Sequence, residues 1–256
     1  MTAYGAIGTI IEALALPPSA RVDARVPKKM LVEQGAPTTA DRRAIQDGID
    51  ELQWFAACKP ATIGVPSFAD DTRDYLEIAI IGCAFRPAAK SARLIELIHR
   101  AIPYPVLLIT AEAMGATIST AHKRRAQNEA GRAVIDHVVA ATGLRFDPSD
   151  AVQGAFLQSL NLAQQSRANL HTLYSGWLAR IEALNAAQVS GAFVVTDDSA
   201  TISRRRAALE EHSRLTKEIE ALRGKTKREK RFSRQVDLNV TIQNLERQIA
   251  SLIDSL

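Results

Sequence analysis

ALEEHSRLTKEIEALRGKTKREKRFSRQVDLNVTIQNLERQIASLIDSL, residues 208–256, holds two apolar stripes separated by a block of positive charge. In the first stripe Ala208, His212, Leu215, Ile219 and Leu222 recur at alternating steps of four and three, with Ile202 and Leu209 beside the seam. In the second, Leu238, Ile242, Leu245, Ile249, Leu252 and Leu256 keep the same rhythm. Such a repeat lays one apolar seam along a helix, and the seam needs a partner helix to cover it. Gly224 costs on the order of 1 kcal/mol inside a helix, and the charged block after it carries no seam. The spacing therefore predicts that the chain reverses between residues 223 and 234 and that the stripes zip into an antiparallel coiled-coil hairpin. One continuous helix that dimerises is the rival arrangement.

The bend carries the sharpest chemistry in the chain. Arg223, Lys225, Lys227, Arg228, Lys230, Arg231 and Arg234 crowd together, and Glu229 is the only acid among them. Arg204, Arg205 and Arg206 add charge near the hairpin base. A cluster of this density is drawn to phosphates by counterion release and need not read bases. The same charge would also suit an acidic protein surface, or simply keep a loop solvated. The whole chain is only mildly basic, with 32 Lys and Arg against 28 Asp and Glu, so position matters more than the total.

Upstream of the hairpin, Leu170, Leu173, Trp177, Ile181 and Leu184 fall on one stripe, which predicts a long helix beginning around 153–160. It breaks at Val189-Ser190-Gly191, an apolar patch follows at Phe193-Val194-Val195, and Thr196 to Ser199 offer N-caps. Before residue 150 strand signals enter. Val106-Leu107-Leu108-Ile109 reads as a central strand, preceded by a helix from Ser91 with Leu94, Ile95, Leu97 and Ile98 inward and closed by Pro103 and Pro105. Residues 42–58 read as a helix, because Ile45, Ile49, Leu52 and Phe55 recur at helical spacing after Thr38-Thr39-Ala40-Asp41. Ile63 with Val65, and then residues 75–81, read as two strands separated by the acidic turn Ala69-Asp70-Asp71. Residues 117–122 alternate weakly, and 133–139 fit a strand or a short helix. Residues 6–16 predict a short buried helix rather than a signal peptide, ended by Pro17-Pro18, and 21–37 form a polar, proline-punctuated stretch.

The expected fold is α+β: a small mixed or antiparallel sheet with helices over 1–150, a long helix and linker over 151–198, and the hairpin over 199–256. No apolar run approaches the roughly 20 residues needed to cross a bilayer, so no membrane partner is expected. Cys58 and Cys83 each lie in an apolar stretch and fit a reducing cytoplasm.

Few residues form a recognisable catalytic pattern. Gly224-Lys225-Thr226 looks like the end of a phosphate-binding loop, but Ile219 stands where its first glycine belongs. Gly5 and Gly8 lack the third glycine of a dinucleotide fingerprint. His99, His122, His137, His171 and His212 have no companions at metal-ligand spacing, so neither metal nor cofactor is expected. Within Ser119-Thr120-Ala121-His122-Lys123-Arg124-Arg125, the residues His122, Lys123, Arg124 and Arg125 could hold a phosphate or an acidic partner; an exposed strand end with ordinary basic side chains is the plainer reading. Asp70, Asp71, Asp74 and Glu77 suggest a metal-dependent nuclease or phosphodiesterase, with His122 or Lys123 assisting, although no lysine follows Glu77-Ile78-Ala79. Asp136-His137 lacks a nucleophile of recognisable context.

Several separated stretches point further: Leu14-Ala15-Leu16-Pro17-Pro18-Ser19-Ala20-Arg21-Val22, Val26-Pro27-Lys28-Lys29, Ile63-Gly64-Val65-Pro66, Tyr75-Leu76-Glu77-Ile78, Leu97-Ile98-His99-Arg100-Ala101-Ile102-Pro103, His122-Lys123-Arg124 and Tyr174-Ser175-Gly176-Trp177. Together they resemble a bacterial family designated domain of unknown function 4391. The resemblance brings over no catalytic residue. It implies a setting beside helicases and site-specific DNA methyltransferases in mobile, restriction-like defence clusters. The expectation is a non-catalytic accessory subunit that docks on a helicase or methyltransferase, reaches DNA or a subunit through the basic bend, and has homo-oligomerisation open to it.

Overall fold

The computed structural model describes residues 3–112, 115–126, 133–196 and 198–253. The chain forms two compact units, residues 1–182 and 183–256.

In the first unit the helices are α1 (Ala3–Ala13), α2 (Lys28–Gly35), α3 (Thr39–Gly48), α4 (Pro60–Ile63), α5 (Ser91–Ala101), α6 (Ala151–Ser159) and the start of α7 (Leu170–Ser190). The strands are β1 (Arg21–Arg25), β2 (Ile49–Cys58), β3 (Phe68–Ala69), β4 (Asp74–Tyr75), β5 (Ile78–Phe85), β6 (Val106–Glu112), β7 (Gly115–Arg125) and β8 (Ala133–Leu144). Six of them build one mixed sheet in the order β1-β2-β5-β6-β7-β8, while β3 and β4 pair apart. Only β5 and β6 run parallel, with α5 as the crossover between them.

Every residue of β5 is buried, as expected for a strand covered on both faces. Ala79, Ile81, Cys83 and Phe85 meet the cluster formed with Leu31, Ile45, Leu94, Leu97, Ile98 and Leu108, beneath α2, α3 and α5. The alternate position Gly82 faces the opposite way, where a Cβ would strike Phe55 at 2.3 Å and Ile7 of α1 at 3.1 Å. A glycine there lets α1 lie close on the sheet.

The α+β expectation holds, and the strand at Val106 is central as read. Several local readings are corrected. The helix expected over 42–58 stops at Gly48, and Ile49–Cys58 is β2. β2 carries two register shifts, and the first, between Ile49 and Glu51, brings Ile49 and Leu52 onto the same buried face. Such bulges put residues three apart side by side in a strand, a spacing that otherwise marks a helix. The strand expected at Ile63 is instead the short helix α4, which begins at Pro60 and ends at Gly64 with a left-handed φ of 65°. The strand expected over 75–81 is divided. Tyr75 pairs with Phe68 across the acidic turn, and β5 begins only at Ile78. The polar stretch after Pro17 contains β1 and α2.

The long helix expected from 153 is broken between Ser159 and Leu170. A 3-10 turn over Leu162–Gln164 sits there, capped by the Asn161 side chain. Trp177 Nε1 donates to the Leu160 carbonyl at 3.0 Å, and Arg180 Nε donates to the Ser159 carbonyl at 2.7 Å, so α7 satisfies the end of α6.

In the second unit α8 (Ser199–Thr226) and α9 (Phe232–Ile253) form the hairpin. Asp198 caps α8 by accepting from Thr201 N at 2.8 Å; Asp197 lies outside the described residues. Leu215, Ile219, Ile242 and Leu245 are the buried centre of the seam, with Leu222, Ile249 and Leu252 packed against it, and Leu256 lies outside the described residues. Phe193, Val194 and Val195 take no regular structure, and the Val194 carbonyl accepts from the largely buried Arg205. Among the described residues no helix is long and apolar enough to cross a membrane. Cys58 and Cys83 are free thiols, both buried. Burial, then Glu77, pushes the Cys58 thiol up to about 12.

Candidate functional site

The reversal falls at residues 227–231, inside the interval read from the sequence, and the bend is short because α8 persists through Gly224 to Thr226. Glu229 folds the turn: its Oε1 accepts from Lys230 N and Arg231 N at 2.9 Å each, and its carbonyl accepts from Gln235 Nε2 at 2.7 Å. The one acid of the tip thus has an oxygen committed to backbone. Arg223 is set apart by its pairing with Glu246 at 2.7 Å, which ties the last turns of α8 to α9.

The remaining cations, Lys225, Lys227, Arg228, Lys230, Arg231 and Arg234, are all exposed. Among the described residues none of them lies within ion-pair distance of a carboxylate. The first turn of α9 carries no acidic side chain, so the positive end of that helix adds to the charge already there. Beside the bend is a groove of about 510 Å³ lined by Lys225, Arg228, Glu229, Arg234, Asp237 and Leu238. The arrangement is a water-exposed cationic end, suited to a polyanion and lacking the enclosure that bond-making chemistry needs. Gly224-Lys225-Thr226 closes α8, and Thr226 Oγ1 donates to the Leu222 carbonyl.

The second basic stretch is dispersed. Ser119 meets the buried His99 at 3.0 Å. Lys123 is only 4% exposed, and its ammonium donates to the Ile102 carbonyl at the end of α5. Burial pulls its pKa down to about 7. This corrects the view of Lys123 as a residue presented at a strand end: the shift in pairing between Ala121 and Lys123 accompanies its burial on the α5 side. Arg124 pairs with Asp136 at 3.2 Å, and Arg125 reaches Asp74 at 2.7 Å. The acids considered for metal chemistry are also separated. Asp70 braces its own turn by accepting from Thr72 N and Arg73 N, Asp74 is held by Arg125, and the buried Glu77 meets Lys59 at 2.9 Å. Among the described residues no three His, Cys, Asp or Glu are grouped to hold a metal ion.

His122 belongs to a cluster that sequence spacing does not reveal. Phe68 of β3, Tyr75 of β4, His122 of β7, and His171 and Tyr174 of α7 pack as one aromatic and imidazole group. The two imidazole rings are 5.2 Å apart between centroids. The Tyr75 hydroxyl and His122 Nδ1 are 2.5 Å apart, and His122 Nε2 lies 3.5 Å from Ser175 Oγ. Arg73 spans from His171 Nε2 at 3.4 Å to Asp136 at 3.3 Å. Burial, then the neighbouring His171, holds the His122 pKa down to about 4, so the imidazole is neutral at pH 7. The Tyr174 hydroxyl accepts from Ala121 N at 2.8 Å and donates toward the Val106 carbonyl at 2.8 Å, bridging β6 and β7. As it stands the cluster braces the small β3–β4 hairpin against β7 and α7. The visible signal for it was that three of the stretches carrying the family resemblance, around Tyr75, His122 and Tyr174, each supply a member.

The family model described as Domain of unknown function (DUF4391) matches residues 14–249. No curated protein and no solved structure matches the chain.

Proposed function

We propose, from the premise that this chain belongs to the DUF4391 family, that it is a non-catalytic accessory subunit of a DNA-targeting complex of the restriction or antiphage kind. On this reading it docks on a helicase or DNA methyltransferase and meets the nucleic-acid backbone with the tip of its hairpin. The observation that carries the nucleic-acid contact is the end of the hairpin, where four exposed cations in the bend at 227–231 and two more beside it, Lys225 and Arg234, have no carboxylate partners among the described residues. The partner enzymes rest on the setting implied by the resemblance. A metal-dependent nuclease draws no specific support, since Asp74 and Glu77 are engaged by Arg125 and Lys59.

The decisive preparation is the tagged chain recovered from its native host at low and at high salt after nuclease treatment. A helicase or methyltransferase recovered in stoichiometric amount is the expected outcome; a lone monomer or homo-oligomer would sink the reading. With the purified chain, replacing Lys225, Lys227, Arg228, Lys230 and Arg231 by Gln should abolish DNA retention while leaving the melting curve in place. In single Gln variants that still bind, the dependence of log affinity on log salt should flatten by about 0.9 for each lost phosphate contact. Salt-sensitive DNA binding that survives in the combined variant would remove the tip from the proposal.

A further inference from the structure

Phe232 opens α9 within the cationic block, between Arg231 and Arg234 in the run Arg231-Phe232-Ser233-Arg234, and it is 80% exposed. A phenyl ring left in water forgoes about 1.5–3 kcal/mol of burial free energy. The hairpin's buried seam does not include it, being made by Ile242 and Leu245 of α9 against Leu215 and Ile219 of α8. The backbone that carries the ring is held on both sides, since Glu229 accepts from Arg231 N before it and Gln235 donates to the Glu229 carbonyl from after it.

We infer that Phe232 is a stacking platform for an unpaired nucleobase, so that the tip takes single-stranded nucleic acid in preference to duplex. The inference rests on the polyanion reading of the tip and names the form of its partner. Cations before and after the ring would hold consecutive phosphates while the base between them lies on the phenyl face, a combination that serves single strands of any sequence. In a duplex the bases are already stacked and the ring has no face to meet. Val236 and Val240 continue an exposed stripe along α9, at 44% and 51% exposure. The cationic block ends at Arg234, however, and Asp237 follows, so the charge that attracts a phosphate chain is confined to the end of the hairpin where Phe232 stands.

The test uses the full chain with labelled oligothymidylate and a mixed-sequence duplex of equal length, measured by fluorescence anisotropy over a salt series, with Phe232→Ala and Phe232→Trp as variants. Phe232→Ala should weaken oligothymidylate binding about tenfold and leave both the duplex affinity and the salt slope unchanged. Phe232→Trp should restore single-strand binding and show quenching of the added indole on mixing. Equal loss on both probes, or no loss on either, overturns the stacking role. If Phe232→Ala spares single-strand binding but detaches a co-purifying protein, the ring is a protein contact and the inference fails. If the unaltered chain binds neither probe at low salt, the nucleic-acid reading of the tip itself falls, an outcome distinct from failure of Phe232 alone.

Discussion

Lys123 carries its ammonium into the space beneath α5, where it donates to the Ile102 carbonyl with the neutral His99 nearby. Its folded pKa of about 7 lies below the ordinary 10.5, so between those values the unfolded chain binds more protons than the fold. Stability should therefore climb as pH rises from about 7 toward 10.5, the reverse of the loss usually seen at alkaline pH. Lys123→Met should remove that climb and raise stability at pH 7 by about 1–3 kcal/mol, as read from urea melts at pH 7 and pH 10. The histidines work on the acid side. His122 and His99 are held down to about 4 and about 3 by burial. Their contribution is complete above the unfolded value of 6.5 and is lost as pH falls through the window below it, and His122→Gln should make the acid melt shallower. None of this was legible in the sequence, where Lys123 looks like its neighbours Arg124 and Arg125. Burial is decided by which strand register is adopted, and the His122–His171 contact by how α7 lies on β7.

At the scale of elements, legibility followed whether one period ran unbroken. The two heptad stripes and α5 keep theirs and were read correctly. In β2 a bulge turns a strand into an apparent helix, and the stretch between α6 and α7, residues 160–169, holds no proline or glycine to mark the break. Glycines separate the local from the tertiary reasons for a choice. Gly224 lies inside α8, and a Cβ there would meet nothing within 4 Å. Gly224→Ala should therefore raise the stability of the hairpin by about 1 kcal/mol, with the bend unmoved. Gly35 is the opposite case, because a Cβ would strike Ala101 Cβ at 2.6 Å and the Leu97 carbonyl at 2.9 Å where α2 crosses α5. Gly35→Ala should cost about 1–3 kcal/mol by overpacking. Thermal melts of the two variants, one rising and one falling, check both.

For the whole molecule, the division of labour predicts what truncation does. The sheet of the first unit has its own buried cluster under α2, α3 and α5, while the hairpin owns the charged end. A chain lacking residues 199–256 should keep a cooperative melt and the circular-dichroism signature of the sheet, and should lose retention on DNA. Loss of cooperative folding in that chain would show that the first unit depends on the hairpin.

The bend has one more consequence. Residues 227–231 are four exposed basic residues and one half-buried glutamate outside any helix, which makes them the natural first cut for trypsin or any protease of that specificity. A nick there leaves the sheet untouched but turns α9 into a separate peptide, held to α8 by the seam of Leu215, Ile219 and Leu222 against Ile242, Leu245, Ile249 and Leu252 and by the Arg223–Glu246 pair. The released peptide would carry away Phe232 and Arg234. A single cleavage would thus disarm the tip without unfolding the body, and a bound polyanion would betray itself by slowing that cut.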